Sequence, residues 1–571
     1  MENKPCNISI CSINSKYIHS SLSVWYLFES IRQEATEVVA NVLETTINAS
    51  PTEILNKIEA TGSTLVALSC YIWNIEYVYA LLPEIKKLLP NAKILLGGPE
   101  VSFNSKIVMK SHSEVDYIIS GEGEKSIVEL VKYLSGNDIV LDDIQGLYHR
   151  DNLNNDIKPC VLKFDPPSPY SKEYFTALNG RISYIETSRG CPYSCAFCLS
   201  GRCDSGNVRF FDLDKSKENI ILLANSKTQT IKFIDRTFNC NRKRAKDIWQ
   251  FIIDNYEKTI PKGVCFHFEI AGDILDDESI AILNNAPVGL MQLEIGMQSF
   301  YEPSLAKINR KTNTTILQQN IKRLLKPNNM HIHIDLIAGL PLETYELFKN
   351  SFNIGYNLKS HMLQLGFLKI LHGTPLEMQV EENGLKYSSA PPYEIIDNNY
   401  ITKEELYKLH LLEDALERFC NSGRFTNTLA YLEKVHFENP FDFYYNLGTH
   451  TQNMFKISLD EYIKIIFEYF STLKNIDIAF LRDNFVKDRL STNSTGKLPK
   501  CLHIKDDNLK KYVLFLANKY PQPKNTKRGV AILYSENKII WVDYIKEQQD
   551  LVTKKWKINS IDLSLLHERD L

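Results

Sequence analysis

At 571 residues the chain has room for about two to four domains, and its 44% hydrophobic and 24% charged residues are ordinary for a soluble globular protein. A formal net charge of −3 removes the global basic field that bulk nucleic-acid binding needs. No uncharged apolar run reaches the roughly 18–20 residues that span a bilayer, and the N-terminal MENKPCNISICSINSKYIHS has no long apolar core of a secretion signal, so a cytoplasmic, membrane-free protein is expected.

The first 140 residues alternate strand-like and helix-like segments. NISICSI (7–13) is followed by amphipathic SLSVWYLFESIRQ (21–33), then EVVANVLE (37–44) and helical TEILNKIEA (52–60). TLVALSC (64–70) and AKILLGG (92–98) flank helical IEYVYALLPEIKKLL (75–89), and DYIIS (116–120) precedes EKSIVELVKYL (124–134). Such alternation predicts an α/β domain with a doubly wound parallel sheet. A polar stretch over 141–180, ending in FDPPSPYS, predicts a linker. A second series starts at 181: ISYIET (182–187), TIKFID (230–235), VCFHFEI (264–270), LMQLEIG (290–296), HIHIDLI (331–337) and LQLGFLKI (363–370), each separated by helix-length sequence. Six such strands predict a partial (β/α)6 barrel over 181–400, with ligands at the C-terminal strand ends. From 401 to 571 helical periodicity dominates, as in KEELYKLHLLEDALERFC (403–420) and SLDEYIKIIFEYFSTL (458–473), and predicts an α-rich domain with one late hairpin, GVAILYS and KIIWVDY around ENK.

Twelve cysteines are mostly scattered, as reduced core thiols would be. One group is dense. TSRGCPYSCAFCLSGR (187–202) sets Cys191, Cys195 and Cys198 as C-x3-C-x2-C directly after the first strand of the second series. Three thiolates on one short loop can hold three irons of a 4Fe–4S cubane and leave the fourth iron open. S-adenosylmethionine chemistry at such an iron needs that vacancy, because the cofactor's amino-acid end chelates it before the S–C5′ bond breaks. Structural zinc is the alternative, with Cys203 as a fourth thiolate.

With this loop in view, the chain resembles the radical S-adenosylmethionine superfamily over roughly 181–380. The resemblance rests on the loop with Phe197 between its last two cysteines, then in order IKFIDRTFN, HFEIAGD, LEIGMQS, INRKT, IDLIAGLP and LHGTPL. It implies cofactor contacts from Phe197, Glu269, Gly296, Gln298, Ser299, Arg310 and Ile337, with Arg310 facing the methionine carboxylate. The glycine-glycine-glutamate segment usual after the second strand is not evident.

Ahead of it, LSCYIWN (68–74), LLGGPEVSF (95–103) and GEGEKS (121–126) resemble the cobalamin-binding domain that precedes many such cores. Glycines at strand ends admit a bulky ligand, and helix N-termini offer amides to its polar groups. The resemblance implies Ser69, Gly97, Gly98, Gly121, Glu122 and Gly123 around cobalamin. His19 lies where D-x-H-x-x-G would put a histidine on cobalt, but the aspartate and glycine are missing; it either ligates cobalt, lines the pocket or serves structure.

Together these features imply a cobalamin-dependent radical S-adenosylmethionine enzyme, most simply one that methylates an unactivated carbon of a small molecule or peptide, fed by an external flavodoxin- or ferredoxin-type donor. A cobalamin-assisted rearrangement, a methylthiotransferase-like enzyme and a non-catalytic Fe–S scaffold remain open. The upstream Cys6, Cys11, Cys70 and Cys160 do not reproduce the second three-cysteine set of methylthiotransferases.

Overall fold

The structure is a computed structural model that describes residues 6–200, 202, 206–454 and 456–565. Its N-terminal sheet runs β1 (Asn7–Asn14), β2 (Val39–Thr46), β3 (Leu65–Ser69), β4 (Lys93–Gly97), β5 (Tyr117–Ile119) and β6 (Leu147–His149), in spatial order β2-β1-β3-β4-β5-β6. The first five strands are parallel. Their near-continuous apolar runs follow from helices on both faces: Ile8, Ile10, Ala67 and Leu95 belong to one core with Trp25 and Val131. Their neighbours Cys11, Val66, Leu68, Ile94 and Leu96 belong to another core with Val78 and Leu82. The order reverses at β1/β3, which opens the ligand crevice of a doubly wound sheet at the C-terminal strand ends.

The stretch read as a linker is more ordered than its composition suggests. Leu147, Tyr148 and His149 are buried and pair antiparallel to β5 as a sixth strand, and Lys172–Leu178 forms a helix capped by Ser171. Three apolar or aromatic residues among polar neighbours were too short a run to read as a strand.

The second sheet comprises β7 (Ser183–Ile185), a side ribbon β8 (Ser188–Arg189) and β9 (Arg209–Phe210), then β10 (Thr230–Phe233), β11 (Cys265–Ile270), β12 (Met291–Gln298), β13 (His331–Ala338) and β14 (Met362–Phe367). Apart from the ribbon, six strands lie in order β14-β13-β12-β11-β10-β7, all parallel. On the helix-covered face Phe233 stacks on Phe268 with centroids 4.4 Å apart, and Phe238 and Trp249 close the cluster. The opposite, inner face carries Lys232, His267, Glu269, Glu294, His333 and Asp335, so strands such as β12 alternate buried and half-buried residues along their whole length.

C-terminal to the barrel, ten-to-fifteen-residue helices dominate, and the late hairpin Arg528–Leu533/Lys538–Asp543 gains a third strand, Asn559–Asp562. This region clasps the barrel: Tyr356 donates to Glu433, Lys349 pairs with Asp442, and Asn421 bonds both backbone groups of Leu363. Leu551 sits against Gly289 at the base of β12, where any Cβ would meet its side chain at 2.5 Å.

Candidate active site

The cysteine loop is an excursion between β8 and β9. Gly190 turns into it with φ +98°, and a Cβ there would meet the Asn207 carbonyl at 2.1 Å, so only glycine fits. Asp235, buried just beyond β10, accepts from the Thr187 amide (3.0 Å) and from both the Thr187 and Ser188 hydroxyls, which fixes the approach to the loop. Within it, Ala196 donates to Ile308 and accepts from Leu376, and the Arg202 guanidinium binds the Cys195 carbonyl at 2.8 Å. A loop held this closely is a preorganised ligand platform.

Cys191, Cys195 and Cys198 open onto one cavity of about 220 Å³ at the C-terminal end of the barrel. Cys191 and Cys195 are buried, and burial pushes the Cys195 thiol up while the Arg310 guanidinium, 3.9 Å away, pulls it back. Among the described residues the only trio of ligating atoms within 4.8 Å of one another is Glu294–His333–Asp335. The three cysteine sulfurs are therefore not all within 4.8 Å of one another. Three thiols opening onto one cavity are the donor set that a cubane with one iron left open asks for. Cys203, the candidate fourth zinc ligand, lies outside the described residues.

The same cavity is lined by Phe197, Glu269, Gly296, Gln298 and Arg310. Arg310 donates to the Gly296 carbonyl at 2.8 Å and to Thr312 at 3.1 Å, which fixes its orientation beside the cysteines. A bulge between Gly296 and Gln298, with Gln298 at φ +69°, aims this strand end into the opening. Glu269 is pushed up to about 7, first by burial and then by Glu294 and Asp335, against Arg236 and Lys232. Ser299 and Ile337 do not line it. Ser299 donates to buried Glu343 at 2.6 Å and Ile337 packs against the core. Arg236, Glu294, Asp335, Tyr193 and Thr237 complete the wall without having been singled out in the sequence. The signal for Glu294 and Asp335 was their inward parity in LMQLEIG and HIHIDLI.

At the edge of the N-terminal sheet, Ser69 Oγ is buried without a hydrogen-bond partner, a polar vacancy that fits a polar ligand group at the end of β3. Gly98 (φ +117°) and Gly121 (φ +87°) are demanded by the chain itself, since a Cβ would meet the Cys70 and Cys160 carbonyls at 2.5 and 2.4 Å. Gly97 has space, with no neighbour nearer than 3.8 Å, and a Cβ on Gly123 would meet Leu27 at 3.1 Å. Glu122 is taken up by Arg209, by Arg189 at 3.3 Å and by the Leu162 amide, so it ties this sheet to the ribbon of the second. His19 bridges the same junction: its Nδ1 meets the Tyr184 hydroxyl at 2.6 Å and its backbone pairs with Ile182.

The two strand-end mouths face each other. Buried Glu100, from the GGPE turn, accepts from Tyr393, and Gly373 beyond β14 has no room for a Cβ because Phe103 stands 2.3 Å from that position. Tyr71, after β3, feels the charge of Arg236, after β10.

Fold and site thus define a class: a B12-binding sheet set in series with a radical S-adenosylmethionine core. The B12 binding domain family matches residues 8–131 and the radical SAM superfamily residues 185–353, while a family described only as a protein of unknown function (DUF4080) matches 381–560. The chain accordingly carries a B12-binding domain followed by a radical S-adenosylmethionine domain, and cobalamin, S-adenosylmethionine and a 4Fe–4S cluster are the cofactors of these two domains. It is 24% identical over 407 residues to the cobalamin-dependent radical SAM methyltransferase TokK of Streptomyces tokunonensis, covering 65% of this chain and 59% of that one. It is 25% identical over 411 residues to a 2-(S-pantetheinyl)-carbapenam-3-carboxylate methyltransferase of Streptantibioticus cattleyicolor, covering 66% and 60%. An anaerobic magnesium-protoporphyrin IX monomethyl ester cyclase of Cereibacter sphaeroides is 21% identical over 373 residues, covering 62% and 60%. The chain spans about three fifths of the length of these relatives. Among solved structures, the cobalamin-dependent S-adenosylmethionine radical enzyme OxsB superposes with a TM-score of 0.61 at 14% identity, covering 91% of this chain and 85% of that one. TsrM from Kitasatospora setae superposes with a TM-score of 0.57 at 16% identity, covering 68% and 79%. These likenesses establish the fold. No helix among the described residues is long and apolar enough to cross a membrane.

Proposed function

We propose that the chain is a radical S-adenosylmethionine enzyme that methylates a carbon lacking a nucleophilic lone pair, with reducing equivalents from a flavodoxin- or ferredoxin-type donor. One observation carries the reading: three thiols open onto one cavity at the C-terminal end of a barrel whose mouth is in contact with the edge of a B12-binding sheet. When bound, the cofactors supply a 5′-deoxyadenosyl radical for hydrogen removal and a methyl group on cobalt for transfer.

The chain's own residues supply position and environment. Cys191, Cys195 and Cys198 would hold the cluster. Arg310, steadied by Gly296 and Thr312, presents its guanidinium to a carboxylate beside Cys195, where an arginine fork is the fitting partner. Glu269, with its pKa near 7, accepts a hydrogen bond from an ammonium group at the same wall when ionised. Gln298 and the carbonyl of Gly296 offer polar partners to a ribose. Phe197 gives the loop an apolar flank. Ser69 and the space at Gly97 would receive polar edges of the corrin and its tail, while the Glu100–Tyr393 and Glu122–Arg209 contacts hold the two mouths together and exclude bulk water.

A second reading, cobalamin-assisted rearrangement or cyclisation, is favoured only by the resemblance to the cyclase. Anaerobic incubation with methyl-deuterated S-adenosylmethionine and a reductant decides between them. The proposal expects 5′-deoxyadenosine and copurifying cobalamin, both with deuterated methyl in product, and loss of iron and cleavage in the Cys191/Cys195/Cys198→Ala variant. Deoxyadenosine without methyl transfer points to the second reading, and no deoxyadenosine overturns both.

A further inference from the structure

Barrel interiors are usually packed with branched apolar side chains. Here the inner face forms polar rows set by strand register. Tyr184, Lys232, His267, Gln292 and His331 stand side by side across β7, β10, β11, β12 and β13. One layer nearer the cysteines, Glu269, Glu294 and His333 form the next row.

The charges in these rows are unevenly matched. Glu294 lies 3.1 Å from His267, and Asp335 lies 2.9 Å from His333, so both carboxyl groups have imidazole neighbours. On the β10 side two cations share the field of one carboxylate, Glu269, without contacting it. Among the described residues neither Lys232 nor Arg236 makes an ion pair or side-chain hydrogen bond, although Lys232 stands among the groups of the inner face and Arg236 lines the cavity of the cysteine loop. The parity of β10 puts Lys232 on the inner side, with Ile231 and Phe233 buried on the other, and Arg236, in the turn beyond the strand, lines the cavity. Two cations set against the one carboxylate of Glu269 leave a positive charge unmatched on this side of the chamber, and a lysine and an arginine beside one carboxylate offer a two-point receptor for a further anion.

We propose that Lys232 and Arg236 bind an anionic group, a carboxylate or a phosphate, on the substrate of this enzyme. The inference rests on the radical reading above for the word substrate, but the binding itself does not depend on turnover. Arg310 is a separate anion partner, already fixed beside Cys195. Lys232 and Arg236 belong to the neighbouring wall, so their ligand reaches from the inner face toward the cysteine loop.

The test is affinity selection with mass spectrometry on the full-length, cofactor-reconstituted protein, against a defined library of carboxylic acids, phosphate esters, amines and neutral polyols. Retained compounds are expected to carry a carboxylate or phosphate, with retention falling at least tenfold in Lys232→Met and Arg236→Met. The acid and ester arms tell which anion is used. Iron content and thermal unfolding are measured on the same samples to confirm that the variants fold, and deoxyadenosine formation is scored separately. Selective retention of amines or polyols, undiminished retention in folded variants, or no retained acid overturns the proposal; absence of deoxyadenosine with acids still retained overturns only the radical reading.

Discussion

The two parallel sheets of this protein solve burial in opposite ways. The N-terminal sheet sends alternate residues of β1, β3 and β4 into two separate apolar cores, so both faces are scaffold and only its strand ends are left for a ligand. The barrel sheet buries one face in an aromatic cluster around Phe268 and turns the other, with Glu269, Glu294 and Asp335, toward a chamber. The difference teaches where function can sit: at an edge in the first domain, along a whole face in the second.

The comparison breaks first if the barrel's two faces prove energetically alike. Phe268→Ala removes a fully buried ring and is expected to cost about 3–5 kcal/mol, whereas Glu294→Gln on the inner face should change stability by less than about 1 kcal/mol. Equal losses in denaturant melts would contradict the division. It is sharpened at the sheet edge by Gly98→Ala, which places a Cβ 2.5 Å from the Cys70 carbonyl at φ +117° and is expected to cost about 1–3 kcal/mol and lower cobalamin content; unchanged stability would show that the turn has slack.

The smallest effect concerns Glu343, which lies behind the barrel and accepts from Ser299 and Ser351. Burial pushes it up to about 7 from an ordinary 4.5, so the folded chain favours its protonated form. Stability is therefore fully supported below about 4.5 and declines as pH rises through 7. Glu343→Gln should flatten that decline and leave the variant about 1–2 kcal/mol more stable than the parent at pH 8, screening included. A parallel pH profile in chemical denaturation would rule this out.

Much of this arrangement was legible in the sequence because period and punctuation carried it. Uninterrupted LVALS and ILLG announced buried strands of a doubly wound sheet, whereas LMQLEIG was read only as a barrel strand and its alternation, which marks a strand covered on one face, went unused. Cys191, Cys195 and Cys198 stood out by spacing alone. What stayed hidden depends on contacts distant in sequence. Glu122 reads as a ligand residue until Arg209, 87 positions away, claims it, and Ser299 until Glu343 does. His19 has the position of a metal ligand, yet its ring is paired with Tyr184 across the domain junction. Lys232 and Arg236 lie within IKFIDRTFN but were not singled out there; the register of β10 against β7 and β11 puts Lys232 on the inner face, and the turn beyond the strand puts Arg236 on the chamber wall.

The claim beneath all of this is that Cys191, Cys195 and Cys198 leave one iron open to an exogenous chelate. Electron-nuclear double resonance on the reduced, anaerobically reconstituted protein with 15N-amino-labelled S-adenosylmethionine addresses it directly. A 15N coupling at the cluster is the result expected. A cluster signal indifferent to the labelled cofactor, or zinc in place of iron, would contradict it.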